Sequence, residues 1–161
     1  MQSMKLLLTF ALGLILVGLV QASATNLTEA EKARVEREVL AANSEMNKAA
    51  ESLDVGEFFD SILDEAKGPI IQDGLLFPTR GEAKAVVERG YQGVQSLTRK
   101  FQQTYVTVLS TDTALLTASG TSKVGLMDGR TLEAPFAVSL VFVLRDGQWK
   151  VIQGHYSVPN R

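Results

Sequence analysis

The sequence contains 161 residues, of which 45% are hydrophobic, with 16 Lys and Arg residues against 18 Asp and Glu residues. This length suits one domain rather than two, and the formal charge of −2 excludes a nucleic-acid-binding protein that works through an overall positive field. The absence of cysteine excludes disulfides, thiol nucleophiles and iron–sulfur clusters, and the single histidine, His155, excludes multi-histidine metal sites. We therefore expect no bound metal, no cofactor and no nucleic-acid partner.

An export signal is predicted at the N-terminus. Lys5 precedes an apolar stretch over residues 6–20, which at 15 residues is shorter than the ~20 that a membrane-spanning helix needs. The small residues Ala22-Ser23-Ala24 then match the pattern that signal peptidase reads. We expect a secretory signal peptide over residues 1–24 and a mature domain over residues 25–161, which would be periplasmic or secreted and free of the membrane after cleavage. The alternative is an uncleaved membrane anchor.

The first half of the expected domain has the pattern of helices. Thr28 and Glu31 have the spacing of a capping box, which favours a helix start, and Asp54-Val55-Gly56 interrupts the helix. Between them an apolar stripe recurs at steps of three and four residues, as in an amphipathic helix, at Val35, Val39, Ala42, Met46, Ala49 and Leu53. We predict a second helix over about residues 57–66 and a third over about residues 81–100.

The second half has the pattern of strands. Residues 70–77 form a short apolar stretch interrupted by Asp73-Gly74, which predicts a strand or hairpin. Beyond residue 101 the pattern changes to alternation rich in Val, Thr, Leu, Phe and Tyr, and predicts strands at 105–109, 113–123, 136–144 and 148–158. Asp-Gly pairs at 128–129 and 146–147 predict tight turns. Three helices followed by hairpin-linked strands indicate an α+β fold with the helices on one face of an antiparallel sheet.

Three local stretches carry a resemblance to a known family. The final strand, from Asp146 to Ser157, has a Gly turn, a Trp, alternating apolar residues and a His shortly before Ser. Leu53-Asp54-Val55-Gly56 resembles the family's link between its first two helices, and Arg80-Gly81-Glu82-Ala83 resembles its entry to the third. Over about residues 28–159 the sequence resembles the nuclear transport factor 2-like superfamily, and its SnoaL-like branch most of all.

The resemblance implies a cone-shaped α+β barrel. In such a fold three N-terminal helices pack in the concave face of a strongly curved antiparallel sheet and leave a deep apolar pocket. The resemblance also implies a homodimer that forms through the outer face of the sheet. Because a fold alone does not fix function, each candidate residue needs its own chemical argument.

The last strand supplies the first candidate site. Strict alternation places Trp149, Val151, Gln153, His155 and Ser157 on one face. An apolar surface with a few placed polar groups is typical of a ligand pocket, and His155 can accept a proton or orient a ligand near neutral pH. The alternative is a His155 that is buried or faces a partner subunit and is satisfied by a backbone group.

Asp73 is the second candidate. Ile71-Gln72-Asp73-Gly74, with Arg80-Gly81-Glu82 downstream, resembles the ketosteroid isomerase branch, in which the Asp of the first strand is the general base. That branch binds the developing oxyanion with a Tyr on the first helix and a protonated Asp on a central strand. The matching segments here, residues 47–51 and 138–141, contain neither. The alternative is a surface Asp, because Asp-Gly is itself a turn signal.

Other side chains complete the expected pocket. Its apolar walls are predicted from Phe58, Phe59, Val86, Leu97 and Trp149. From the third helix, Tyr91 could reach the ligand and Arg80 could pair with a ligand carboxylate. The alternative for Tyr91, which lies on the apolar stripe, is a place in the core. The carboxylates of Asp60 and Asp64 lie four residues apart, and we expect a solvated helix face there because no third metal ligand is apparent.

The leading hypothesis is therefore an exported domain that binds a small, partly apolar ligand. In this hypothesis His155, Gln153 and Asp73 set the orientation of the ligand. The first rival is an acid/base enzyme, an isomerase, lyase or hydrolase, that uses His155 and Asp73 and needs both to face one cavity. The second rival is an oligomerising association module without a ligand.

Overall fold

The computed structural model describes residues 26–159, so the predicted signal peptide lies outside the described residues. The helices are α1 (Glu29–Glu51), α2 (Val55–Asp60) and α3 (Arg80–Gly90). The strands are β1 (Ile70–Gln72), β2 (Leu75–Phe77), β3 (Val94–Ser110), β4 (Thr113–Leu126), β5 (Thr131–Arg145) and β6 (Gln148–Ser157). None of the helices in this part of the chain combines the length and the apolar character needed to cross a membrane.

The six strands form one curved sheet in the order β2-β1-β6-β5-β4-β3. Neighbouring strands are antiparallel except β1 and β6, which run parallel. The described sheet remains open, because β2 and β3 lie at opposite edges and do not pair. The helices pack against its inner face, and the predicted α+β cone is confirmed, without closure into a barrel.

Helix α1 begins at the predicted capping box and crosses the inner face of the sheet. The Thr28 hydroxyl accepts a hydrogen bond from the Glu31 main-chain N at 3.2 Å, and the Glu31 carboxylate accepts one from the Thr28 main-chain N at 2.8 Å. Val35, Val39 and Met46 are buried along the predicted stripe. The hydrophobic effect of this stripe holds α1 against β3, β4 and β6.

The third helix is shorter than predicted, and the reason lies in β3. The prediction extended the helix to residue 100, whereas α3 ends at Gly90 and Gly93, with φ of +88°, turns the chain into β3. Val94 and Leu97 suggested a helix because they are three residues apart. In the structure both are buried, because a register shift between Val94 and Ser96 changes the alternation of β3. The second helix also begins and ends earlier than predicted.

The core fills only part of the cone. Phe59, Ile62, Leu116, Leu140 and Phe142 are among the largest fully buried side chains and pack between α1, α2 and the sheet. On the side towards α3 the inner face of the sheet is left partly uncovered, and the cavity described below lies there.

Candidate functional site

A cavity of about 380 Å³ lies between α1, α3 and the inner face of the sheet. Its walls are mainly apolar, and they include most of the side chains predicted to line a pocket: Phe58, Phe59, Val86, Tyr91 and Leu97. The Phe58 and Phe59 rings pack edge to face with their centroids 5.2 Å apart. The Phe101 and Phe136 rings do the same at 5.3 Å on the opposite wall. Rigid aromatic walls of this kind suit an apolar ligand body.

Tyr156 of β6 contributes a polar atom at the cavity wall. Its ring remains partly exposed, whereas its hydroxyl oxygen is buried and has no hydrogen-bond partner among the described residues. Burial raises the pKa of Tyr156 to about 12, and the nearby Arg99 charge opposes this rise. The hydroxyl therefore stays protonated at neutral pH and is an unused hydrogen-bond donor.

Arg99 of β3 contributes a positive charge to the same cavity. Its Nη1 donates to Asn47 Oδ1 of α1 at 3.4 Å, a long contact, and its main-chain N donates to Glu51 Oε1 at 2.6 Å. Among residues 26–159 the guanidinium forms no ion pair with a carboxylate within 4.0 Å. Most of its five N–H donors are consequently free to bind another group.

Tyr91 and Asn43 add two further polar side chains to the wall. Burial raises the pKa of Tyr91 above its ordinary value, and the Arg99 charge partly offsets this rise. Asn43 is buried on α1 between Val39 and Met46, at a position where the helix otherwise buries apolar residues. A polar side chain at the wall of a mainly apolar cavity can fix the orientation of a ligand.

Asp73 lies at the opening of the cavity, in the turn between β1 and β2. Asp73 and Gly74 have φ of +50° and +83°, as a two-residue hairpin turn requires. The Asp73 side chain is exposed, and its Oδ1 accepts a hydrogen bond from the Val158 main-chain N at 2.9 Å. The turn alternative is therefore confirmed, and the carboxylate also borders the cavity.

His155 does not face this cavity, so its expected placement beside Trp149 was wrong. In the pairing of β5 with β6, Val141 is opposite Gln153 but Phe142 is opposite Val151, which leaves Ile152 as a bulge. The bulge reverses the alternation, so that Trp149 and Val151 face the helices while Gln153 and His155 face outward. Neither Gln153 nor His155 lines the cavity, and His155 is exposed.

His155 lies instead in a shallow groove of about 360 Å³ on the outer face of the sheet. Tyr105, Thr117, Ser139 and His155 are directly opposite one another across β3, β4, β5 and β6 and form one row of this groove. The expected acid/base pair of His155 and Asp73 is thus not assembled, because the two side chains lie on different faces of the sheet.

Trp149 also lies outside the cavity, at the other end of α1. Its Nε1 donates to Glu38 Oε2 of α1 at 2.9 Å, and its ring is partly buried against the core. This bond, followed by that from Arg34, lowers the pKa of Glu38. Trp149 consequently fixes β6 to α1 and does not form a pocket wall.

Arg80 does not reach the cavity, contrary to the prediction, because its guanidinium is hydrogen-bonded to other groups. Its Nε donates to Asp64 Oδ1 at 3.0 Å, and its Nη1 donates to the main-chain oxygens of Phe59 and Ile62, each at 3.1 Å. These bonds tie α3 to the end of α2. Among the described residues no cluster of three or more His, Cys, Asp or Glu side chains could hold a metal ion.

The sequence prediction missed Tyr156, Arg99 and Asn43. Asn43 could have been found, because it follows Val39 by four residues and precedes Met46 by three, on the buried stripe of α1. Tyr156 was assigned to the wrong face because the bulge at Ile152 leaves no mark in the alternation. Arg99 was assigned to a helix that ends nine residues earlier.

Comparison with known proteins identifies relatives of the same fold. The SnoaL-like domain family matches residues 39–161. The "Putative Scytalone Dehydratase" of Novosphingobium aromaticivorans superposes with a TM-score of 0.75 at 10% identity, over 83% of this chain and 89% of that chain. A hexachlorocyclohexane dehydrochlorinase superposes with a TM-score of 0.69 at 10% identity, over 83% of this chain and 90% of that chain.

A nuclear transport factor 2-like superfamily protein from Salmonella enterica serovar Typhimurium has a TM-score of 0.69 at 14% identity, over 81% of this chain and 94% of that chain. No curated protein sequence matches this chain significantly. At these identities the structural likeness shows the fold alone, whereas the family match extends over most of the sequence. The chain therefore belongs to the SnoaL-like domain family, and it has the fold of nuclear transport factor 2-like proteins.

Proposed function

We propose that this protein binds a small, partly apolar ligand in the cavity between α1, α3 and the sheet. One observation carries the proposal: a mainly apolar cavity of about 380 Å³ is lined by Tyr156, whose buried hydroxyl has no hydrogen-bond partner among the described residues. Leaving a buried hydroxyl without a partner costs on the order of 1–3 kcal/mol. A ligand that accepts a hydrogen bond from Tyr156 would recover part of this cost.

The volume of the cavity sets the size of the ligand. An engineered cavity of about 150 Å³ holds one benzene molecule. By proportion, a cavity of about 380 Å³ holds roughly 10–15 non-hydrogen atoms. This corresponds to a compact one- or two-ring molecule with one or two polar substituents.

Both rivals have less support than ligand binding. An acid/base enzyme has Asp73 at the cavity opening but lacks His155 as its partner, although two relatives bear the names of a dehydratase and a dehydrochlorinase. An association module without a ligand should fill its own cavity and expose an apolar outer sheet. Here the cavity is empty of side chains, and the groove on the outer face contains Thr117, Ser119, Ser139 and Ser157.

Native mass spectrometry after incubation with a metabolite extract tests the proposal. The wild-type protein should retain a small molecule, and Gly90→Phe should not. Gly90 lines the cavity, and a Cβ there meets nothing within 4 Å, so the backbone accepts a side chain at this position and a Phe ring would compete with the ligand for space. Gly81→Phe is the matched control, because Gly81 lies on the same helix in equally open space but away from the cavity.

The two variants separate specific from unspecific binding. Retention by wild type and Gly81→Phe but not by Gly90→Phe supports binding in the cavity. Equal retention by all three proteins places the ligand elsewhere and contradicts the proposal. Turnover of the retained molecule would instead favour the enzyme, and the absence of any bound molecule with higher oligomers present would favour the module.

Export and self-association belong to the same proposal. Cleavage after Ala24 in an exporting host should give a secreted or periplasmic chain, which intact mass measurement of the exported fraction checks. A homodimer through the outer face of the sheet is proposed from the resemblance to the family, and the groove around Ser139 lies on that face. Ser139→Arg should then give a monomer in light scattering, and Ser44→Arg, on the exposed side of α1, should remain dimeric. A wild-type monomer would contradict this part.

A further inference from the structure

We infer that the ligand carries an anionic oxygen group, a carboxylate in the simplest case, and that Arg99 binds it with the Tyr156 hydroxyl as a second donor. This inference rests on the proposed function, because it assigns the polar part of the same ligand. It adds a chemical class, since a neutral apolar molecule would satisfy the proposed function equally well.

Arg99 is positioned among apolar residues of the cavity wall. Arg99 lies on the inner side of β3 between Leu97 and Phe101, and all three side chains line the cavity. A guanidinium that is partly removed from water is unfavourable unless it is paired with a charge and hydrogen-bonded. Among residues 26–159 its side chain forms only the 3.4 Å hydrogen bond to Asn47. Arg99 is therefore placed as a ligand-binding residue would be. An arginine with no binding role would be expected on the solvent-exposed side of β3.

The carboxylates of Glu51 and Asp73 are bound to main-chain N–H groups. Glu51 accepts the main-chain N–H of Arg99 at 2.6 Å and forms no ion pair with the guanidinium. Within the part of the chain that the structure describes, Asp73 is the one acidic residue of the cavity lining, and it lies at the opening, where it accepts the Val158 main-chain N–H. The interior of the cavity consequently has a positive charge that neither acid neutralises within 4.0 Å.

Three side chains with hydrogen-bond donors line the same cavity. They are Arg99, Tyr156 and Tyr91. A protonated tyrosine donates one hydrogen bond, and a guanidinium donates two in parallel to a carboxylate. Together they match the two oxygens of a carboxylate better than a single carbonyl or hydroxyl oxygen.

A pair of matched probes tests the inference. Isothermal titration at pH 7 with 2-naphthoate and 2-naphthamide compares an anion with a neutral molecule of nearly the same shape, both of the size that the cavity holds. The wild-type chain should bind the carboxylate at least about tenfold more tightly, since a hydrogen bond to a charged group contributes more than a neutral one. Arg99→Gln should abolish this preference while leaving the affinity for the amide within about twofold.

Two further variants test whether the effect of Arg99→Gln is specific to this arginine or comes from a general loss of structure or positive charge. Lys100→Gln removes a positive charge from the exposed side of the same strand and should leave the preference intact. Arg99→Lys keeps the positive charge but lacks the planar guanidinium, and it should retain part of the preference for the carboxylate. Thermal unfolding of each variant checks that it is folded.

Each outcome decides between the two proposals. A carboxylate preference that disappears in Arg99→Gln and survives in Lys100→Gln supports the inference. Equal affinity of the wild-type chain for both probes, or a preference that survives in Arg99→Gln, overturns the inference and leaves the proposed function standing. Failure of both probes to bind at millimolar concentration overturns both proposals.

Discussion

Replacing Tyr156 with Phe removes a single oxygen atom from the wall of the cavity and should make the ligand-free protein more stable. Most substitutions of partly buried residues have the opposite effect. The reason is that the Tyr156 hydroxyl has been removed from water without gaining a hydrogen-bond partner in the described structure. Phe keeps the ring packed against the core beside Gly154 and omits the unsatisfied group.

The size of the effect follows from two opposing contributions. Burying a hydroxyl without a partner costs about 1–3 kcal/mol, which the substitution recovers. The vacated space, of the order of 15 Å³, costs about 0.4 kcal/mol at ~24 cal/mol per Å³. The free energy of unfolding should therefore rise by about 1 kcal/mol, which corresponds to an increase of about 3–5 °C in the melting temperature of a domain of this size.

Urea denaturation and thermal unfolding of the ligand-free protein measure this change. Tyr105→Phe is the matched control, because the Tyr105 side chain is 63% exposed on the outer face and its hydroxyl is available to water. That control should stay within about 0.5 kcal/mol of the wild type. If Tyr156→Phe is less stable than the wild type, the hydroxyl has a partner and the reasoning about the cavity wall is refuted.

Three further predictions concern the frame around the cavity. Gly120→Ala should lower the free energy of unfolding by about 3 kcal/mol, because its Cβ would overlap the main-chain oxygen of Lys100. Gly81→Ala, the control, should be neutral or slightly stabilising, and denaturant unfolding of both variants checks this. Trp149→Ala should also lower the free energy of unfolding by about 3 kcal/mol without changing the affinity for the ligand. A loss of affinity without a loss of stability would show that Trp149 belongs to the binding site. Because the pKa of Glu38 is lowered, its carboxylate stabilises the fold above its ordinary pKa near 4.5, and this stabilisation is lost as the pH falls towards the lowered value. The melting temperature of Glu38→Gln should therefore depend less on pH in this acid range than that of the wild type.

The parts of the fold that depend on local sequence could be predicted. The capping box at Thr28 and Glu31 marks the start of α1, and the stripe from Val35 to Ala49 is buried as expected. The Asp-Gly turn at 146–147 joins β5 to β6, and the same dipeptide at 73–74 joins β1 to β2. Each of these features rests on residues within a few positions of one another, where helix capping and positive φ act directly.

The candidate site could be predicted only in part, because it depends on strand pairing. Phe58, Phe59 and Tyr91 line the cavity as expected from their apolar pattern. The bulge at Ile152 decides which side chains of β6 face the cavity. This bulge is a property of the pairing of β6 with β5 and not of the β6 sequence. A one-residue shift exchanges the two faces of a strand, so it moved His155 and Gln153 out of the cavity and Tyr156 into its wall.

A crystal structure of the protein soaked with 2-naphthoate tests the central claim most directly. The account predicts that the rings lie in the cavity between α1, α3 and the sheet, with the carboxylate within hydrogen-bond distance of Arg99 and the Tyr156 hydroxyl. A cavity that contains only water, with the naphthoate bound in the outer groove beside His155 and Tyr105 or not bound at all, would contradict it.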